Sequence, residues 1–206
     1  CRMKNPDDPR PRIGLVLGGG GARGAAHISI IKKLESLNIP IDCIAGTSMG
    51  ALIGGLYASG MTSAELEDMI KTLDWSALLN DTVPRQERSF RRKQDDTLSL
   101  APTRPGIGRG GLRLPSGILA GENILFFLTM KSGNSAGIAD FNKLSIPFRA
   151  VAADINTGKA AVLGFGSLPM AMRASMSIPG AFKPISIDGQ LLVDGGMVNQ
   201  VPIDVV

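Results

Sequence analysis

Two short apolar runs in the first fifty residues each end in a glycine-rich turn, and a helical pattern follows each turn. Ile13–Leu17 (IGLVL) leads into Gly18–Gly21 and then AAHISIIKKLESL; Ile41–Ala45 leads into GTSMG and then ALIGGLYASG. Runs this short, apolar throughout and bounded by glycine, read as strands buried on both faces. Strand, helix, strand, helix in that order implies a parallel sheet with helices on its faces, since parallel neighbours need a crossover. The chain is therefore expected to be an α/β protein. Its 206 residues suit one domain with a sizeable core.

The rest of the chain supplies further elements. In the first helical stretch Ile30, Ile31, Leu34 and Leu37 make the expected apolar stripe, Lys32, Lys33 and Glu35 the other face, and Pro40 ends it. Thr62 and Glu65 have capping-box spacing ahead of a stripe of Leu66, Met69, Ile70 and Leu73. ENILFFLTM and LPMAMRASM read as helices. PFRAVAADI and KAAVLGF flank Asn156-Thr157-Gly158, while ISI and QLLV flank Asp188-Gly189, so two hairpins are expected. Residues 1–11 are polar and proline-rich and read as a leader or linker, with the domain over 12–206. Residues 80–121 are polar, basic and rich in Pro and Gly, a long connection of the kind that is functional or mobile. No internal repeat runs through the chain.

Charge and composition narrow the function. The net charge is +4, and the segment from Arg85 to Arg113 accounts for all of it, with eight basic and three acidic residues. Such a cluster reads either as a solvated loop or as a patch that draws the protein to an anionic membrane surface. One Trp, one Tyr and no recognisable nucleic-acid module leave nothing for base stacking or readout, so nucleic acid is not expected as a partner. Nothing in the sequence specifies an oligomeric state. Two cysteines, Cys1 and Cys43, make no disulfide framework, and Cys43 reads as a small buried residue. No apolar stretch approaches the ~20 residues of a membrane span. Cys1 at the start fits a lipidated bacterial cysteine or a fragment boundary.

Three motifs carry chemistry. Gly46-Thr47-Ser48-Met49-Gly50 matches G-x-S-x-G between an expected strand and an expected helix, which makes Ser48 a candidate nucleophile on a sharp turn, with Gly46 and Gly50 permitting close backbone approach. A Ser at a helix start in a glycine-rich turn is the plainer alternative. The one histidine, His27, precedes Ser48 and reads as packed beside the first helix, so a carboxylate is the natural base. Val193-Asp194-Gly195-Gly196 offers Asp194 at a strand end, although the motif alone reads equally as an Asp-Gly turn. Gly18–Gly24 (GGGGARG) opens the first helix and can aim backbone N–H groups at an anion, either an oxyanion or, as G-x-G-x-x-G, a dinucleotide phosphate. The dinucleotide alternative expects an acid closing the second strand, and Asp42 opens that strand instead.

GGGARG, then GTSMG about two dozen residues on, then a distant DGG, resembles the three-part signature of patatin-like phospholipases. Residues 173–179 (RASMSIP), leading to Phe182, and 152–158 (AADINTG) also look like blocks of that family, so the likeness covers residues 12–204. The resemblance implies a three-layer α/β/α fold with a mostly parallel central sheet. It implies a Ser48–Asp194 dyad without His, an oxyanion hole lined by Gly19, Gly20 and Gly21 with Arg23 beside it, and hydrolysis of phospholipid or other acyl-ester lipids. No metal or organic cofactor is required. It also implies that the domain continues past Val206, and bacterial relatives that are secreted or associated with the outer membrane make that location an expectation beside a cytoplasmic or peripheral one. A non-catalytic lipid- or partner-binding module with the same fold is the remaining alternative.

Overall fold

A computed structural model of the chain describes residues 10–79, 90, 106–108, 111–113 and 117–206. The elements run β1 (Gly14–Leu17), α1 (Ala26–Ser36), β2 (Cys43–Thr47), α2 (Met49–Ala58), α3 (Ser63–Thr72), α4 (Trp75–Leu79), β3 (Gly106–Gly108), β4 (Gly111–Arg113) and β5 (Gly117–Leu119). They continue with α5 (Glu122–Ser132), β6 (Phe148–Asp154), β7 (Lys159–Leu163), α6 (Leu168–Ser175), β8 (Gly180–Phe182), β9 (Ile185–Ile187) and β10 (Gln190–Asp194). The long connection is not without structure: β3 pairs with β4, and β5 pairs in parallel with β8. The basic residues expected to act there lie outside the residues whose side chains are described.

The architecture is the expected α/β one, a mixed sheet with helices on both sides. Its six strands run in the order β1-β2-β6-β10-β9, with β7 on β6 as well. β1, β2 and β6 are parallel, β7 and β10 run antiparallel to β6, and β9 runs antiparallel to β10, so four of the six point one way.

The register at β6 decides where the site lies. β7 pairs with Ala150–Asp154 along one edge. β2 pairs with Phe148–Val151 and β10 with Leu192–Asp194 against Asp154–Ala152, and both overlap β7, so they must share the opposite edge. Running in opposite directions, they meet end to end: Thr47 lies opposite Val151 and Asp194 opposite Ala152.

α2 is buried on every side except at Tyr57, as befits a helix in the middle of the core. It begins at Met49, two residues earlier than its sequence pattern suggests, and β2 runs two residues further than expected, which leaves Ser48 alone between them. The capping box of Thr62 and Glu65 forms, with Glu65 N–H donating to Thr62 Oγ1 and Thr62 N–H to Glu65 Oε2. Both hairpins form; the second turns on Asp188 and Gly189, each at positive φ. The stripe on α1 differs from expectation: Ile28 and Ile31 are buried while Ile30 and Leu37 face outward, because the i, i+3 line facing α2 and α3 starts two residues before Ile30. Cys43 is buried as expected.

Candidate active site

Ser48 stands at φ 54°, ψ −121°, a conformation that costs a non-glycine residue about 1–3 kcal/mol and persists only where its surroundings impose it. The flanking glycines show how. A Cβ on Gly46 would come within 2.5 Å of Gly50 O, and one on Gly50 within 2.1 Å of Leu17 O. The strand end, the helix start and β1 are therefore in backbone contact, and only glycine fits at both positions. The Ser48 N–H donates to Ser175 Oγ at 2.8 Å, and Ser175 Oγ–H donates in turn to Val151 O at 2.5 Å.

Ser48 Oγ donates to Asp194 Oδ2 at 2.6 Å. The other carboxylate oxygen, Oδ1, accepts the Gly196 N–H at 2.7 Å, which fixes the plane of the group. Asp194 N–H donates to Ser177 O, so the backbone is held too. Both side chains are nearly buried, with 8% of Ser48 and 8% of Asp194 accessible, enough for contact with a ligand in a cleft. Gly195 presses on Val151 O, where a Cβ would come within 2.1 Å. The glycine after Asp194 is thus demanded by the same crowded point on β6.

The glycine loop follows β1, next to β2 in the sheet. Gly19 N–H donates to Gln200 O at 3.0 Å. Gly20 (φ 152°) and Gly21 (φ 54°) open a short 3₁₀ turn, and their N–H groups have no hydrogen-bond partner among the described residues. His27 Nε2 lies 2.8 Å from Gly18 O. A carbonyl only accepts, so Nε2 carries the proton and steadies the loop. Arg23 is exposed, and its side chain makes no hydrogen bond or ion pair among the described residues. The segment after Asp194 ties these parts together: Asn199 O accepts Thr47 Oγ1–H at 2.9 Å, one residue before the serine, and Gln200 O holds the loop.

Ser48 sits at the meeting point of two cavities. One, of about 390 Å³, is mostly apolar and lined by Met49, Ile70, Trp75, Met176 and Phe182. The other, of about 230 Å³, opens over Ser48 and Asp194 between Gly20, Gly21, Gly196 and Gln200.

Sequence reasoning missed Ser175, Thr47, Asn199 and Gln200 as parts of this site; only the block at 173–179 pointed near the first. Arg173, which opens that block, has no role assigned from the sequence; it is buried with its Nη1 donating to Ser177 Oγ at 2.7 Å, Nη2 to Ala120 O at 3.1 Å and its Cζ 4.5 Å from the Phe182 ring. Asp42, the acid that a dinucleotide site would need, is bound instead by the Arg10 guanidinium and the Ile13 N–H, and the Arg10 hydrogen bond holds its carboxyl below the usual range. It precedes β2, whereas the glycine loop follows parallel β1, so the two lie at opposite ends of the sheet.

The profile of the patatin-like phospholipases matches residues 15–206. An uncharacterised NTE family protein of Mycobacterium tuberculosis is 36% identical over 193 residues, covering 94% of this chain and 45% of the relative. A lysophospholipase NTE1 of Cryptococcus neoformans is 34% identical over 194 residues, covering 93% of this chain and 10% of the relative. The chain thus spans less than half the length of these relatives. Among solved structures, VipD from Legionella pneumophila superposes with a TM-score of 0.59 at 18% identity, over 94% of this chain and 47% of that one. At that identity the likeness shows a shared fold.

Proposed function

The chain belongs to the patatin-like phospholipase family, and on that footing we propose that it is a serine lipid acyl hydrolase of the phospholipase A or lysophospholipase type, working through Ser48 and Asp194. The observation that carries this reading is the 2.6 Å hydrogen bond from Ser48 Oγ to Asp194 Oδ2, at the junction of an apolar cavity and an open one.

Asp194 takes the Ser48 proton as Oγ attacks the ester carbonyl. Gly196 N–H holds Oδ1 meanwhile, so that Oδ2 keeps its aim. The tetrahedral oxyanion is received by the Gly20 and Gly21 N–H groups, each worth about 3 kcal/mol in the transition state. Gly19, bonded to Gln200, and His27, bonded to Gly18 O, hold that loop in place. The leaving alcohol takes the proton from Asp194; water then attacks the acyl-serine with Asp194 again as base, and the bond to Oγ breaks as Ser48 takes the proton back and the fatty acid is released. The apolar cavity suits the acyl chain, and the wider one the glycerol and headgroup. The basic segment from Arg85 to Arg113 would bring the site to an anionic membrane surface.

The test is hydrolysis of a lysophospholipid and of a short-chain nitrophenyl ester by the wild type, Ser48→Ala and Asp194→Asn. Each variant is expected to lose about 10³-fold or more in turnover while keeping its circular dichroism. Near-wild-type turnover by either folded variant overturns the dyad.

A further inference from the structure

The end of β2 is built in an unusual way. Ile44 N–H donates to Pro147 O at the start of the parallel ladder between β2 and β6. Bonds of this kind recur at every second residue along a parallel pair. Two steps on, the next N–H and carbonyl in line are those of Ser48 and Val151. They do not bond to each other. The Ser175 hydroxyl stands between them, accepting from Ser48 N–H at 2.8 Å and donating to Val151 O at 2.5 Å. Ser175 is wholly buried at the last residue of α6, and its single proton and one lone pair serve these two groups.

We infer that Ser175 is a positioning residue for catalysis: its hydroxyl holds the last rung of the ladder open, and so keeps Ser48 in the strained turn that aims Oγ at Asp194. The inference rests on the reading of Ser48 as the nucleophile. If the rung closed directly, Ser48 would continue β2 as an ordinary strand residue, and its side chain would leave the line to Asp194 Oδ2. Ser175 also uses up the Ser48 N–H, which therefore cannot serve as an oxyanion donor.

The test is Ser175→Ala, which removes one oxygen and adds no bulk. A fluorophosphonate that forms a covalent bond to an activated serine, displacing fluoride, is used as the probe. Labelling rate is read as the rate constant of the folded fraction, alongside the thermal midpoint and the kcat and KM for a short-chain ester. In Ser175→Ala the labelling rate and kcat are expected to fall by about 10- to 100-fold, as a displacement near 1 Å commonly costs. KM should stay within about threefold, since ground-state binding does not use this group. The thermal midpoint is expected to hold or rise, because the strain at Ser48 is released. A purely structural role would move these readouts the other way, lowering the midpoint and leaving the labelling rate of the folded fraction intact. That result, or failure of the variant to fold, overturns the inference. If the wild type is not labelled, or Ser48→Ala is labelled as fast, it is the nucleophile reading that fails.

Discussion

Thr47 and Asp194 end two different strands, yet they lie opposite neighbouring residues of β6, Val151 and Ala152, having arrived from opposite directions. The residue after Thr47 is Ser48, so its side chain meets that of Asp194 because two strands run out on the same edge of a third. This arrangement gives a rigid frame to a pair of side chains 146 residues apart. It also explains why glycines crowd the point, since Gly46, Gly50 and Gly195 each touch backbone there.

His27→Gln is expected to keep activity within about tenfold of the wild type, because Nε2 donates to Gly18 O and no role as base for Ser48 is left to it. The amide of Gln reaches the position of Nε2 and preserves a donor. Steady-state turnover of a soluble ester checks this. A loss as large as that of Ser48→Ala, with the fold retained, would make His27 the base.

Gly50→Ala and Gly21→Ala should separate sterics from backbone strain. The first places a methyl 2.1 Å from Leu17 O, a backbone atom that cannot swing aside, and should cost about 3 kcal/mol, at the top of the overpacking range. The second meets nothing within 4 Å and carries only the left-handed backbone penalty, about 1–2 kcal/mol. Urea denaturation measures both. Equal destabilisation by the two would contradict the packing account of the turn at Ser48.

Ile70→Phe narrows the apolar cavity and is expected to shift preference toward short acyl chains. Each methylene displaced from the cavity forfeits about 0.8 kcal/mol, or about fourfold in kcat/KM. A series of acyl esters of increasing chain length reads the effect directly. An unchanged chain-length profile in an active variant would mean that the acyl chain lies elsewhere.

Changing Arg88, Arg91 and Arg92 to Gln should weaken binding to anionic vesicles, and wild-type binding should weaken as salt rises, since the attraction is screened over about 10 Å in 0.1 M salt. Hydrolysis of a small soluble ester should hardly change. Salt-independent vesicle binding, or equal loss on both substrates, would reduce the segment to a solvated loop.

Local signals made much of this molecule legible in advance. Apolar runs closed by glycine marked β1 and β2, the capping box marked α3, and Asp188-Gly189 marked the last hairpin, because each is set by the conformational preferences of a few adjacent residues. A periodic signal is less exact: it buries Leu66 and Met69 on α3, but of the α1 stripe Ile30, Ile31, Leu34 and Leu37 it places Ile31 in the core while Ile30 and Leu37 face outward, since helical spacing alone does not say which line of residues meets a neighbour.

The sequence by itself determined the residue types that the proposed chemistry needs and the turns that expose them: a serine between a strand and a helix, a glycine loop before a helix, an aspartate before two glycines. Only the tertiary structure decided that Ser48 meets Asp194, that Ser175 stands between Ser48 and Val151, and that Asn199 and Gln200 hold Thr47 and Gly19. Apart from the Ser175–Val151 bond, those contacts join residues more than a hundred positions apart, and most of their polar partners are ordinary serines, amides and carbonyls with no local pattern to mark them. They exist because strand register on β6 brings the ends of β2 and β10 to one point, and register is a property of the assembled sheet.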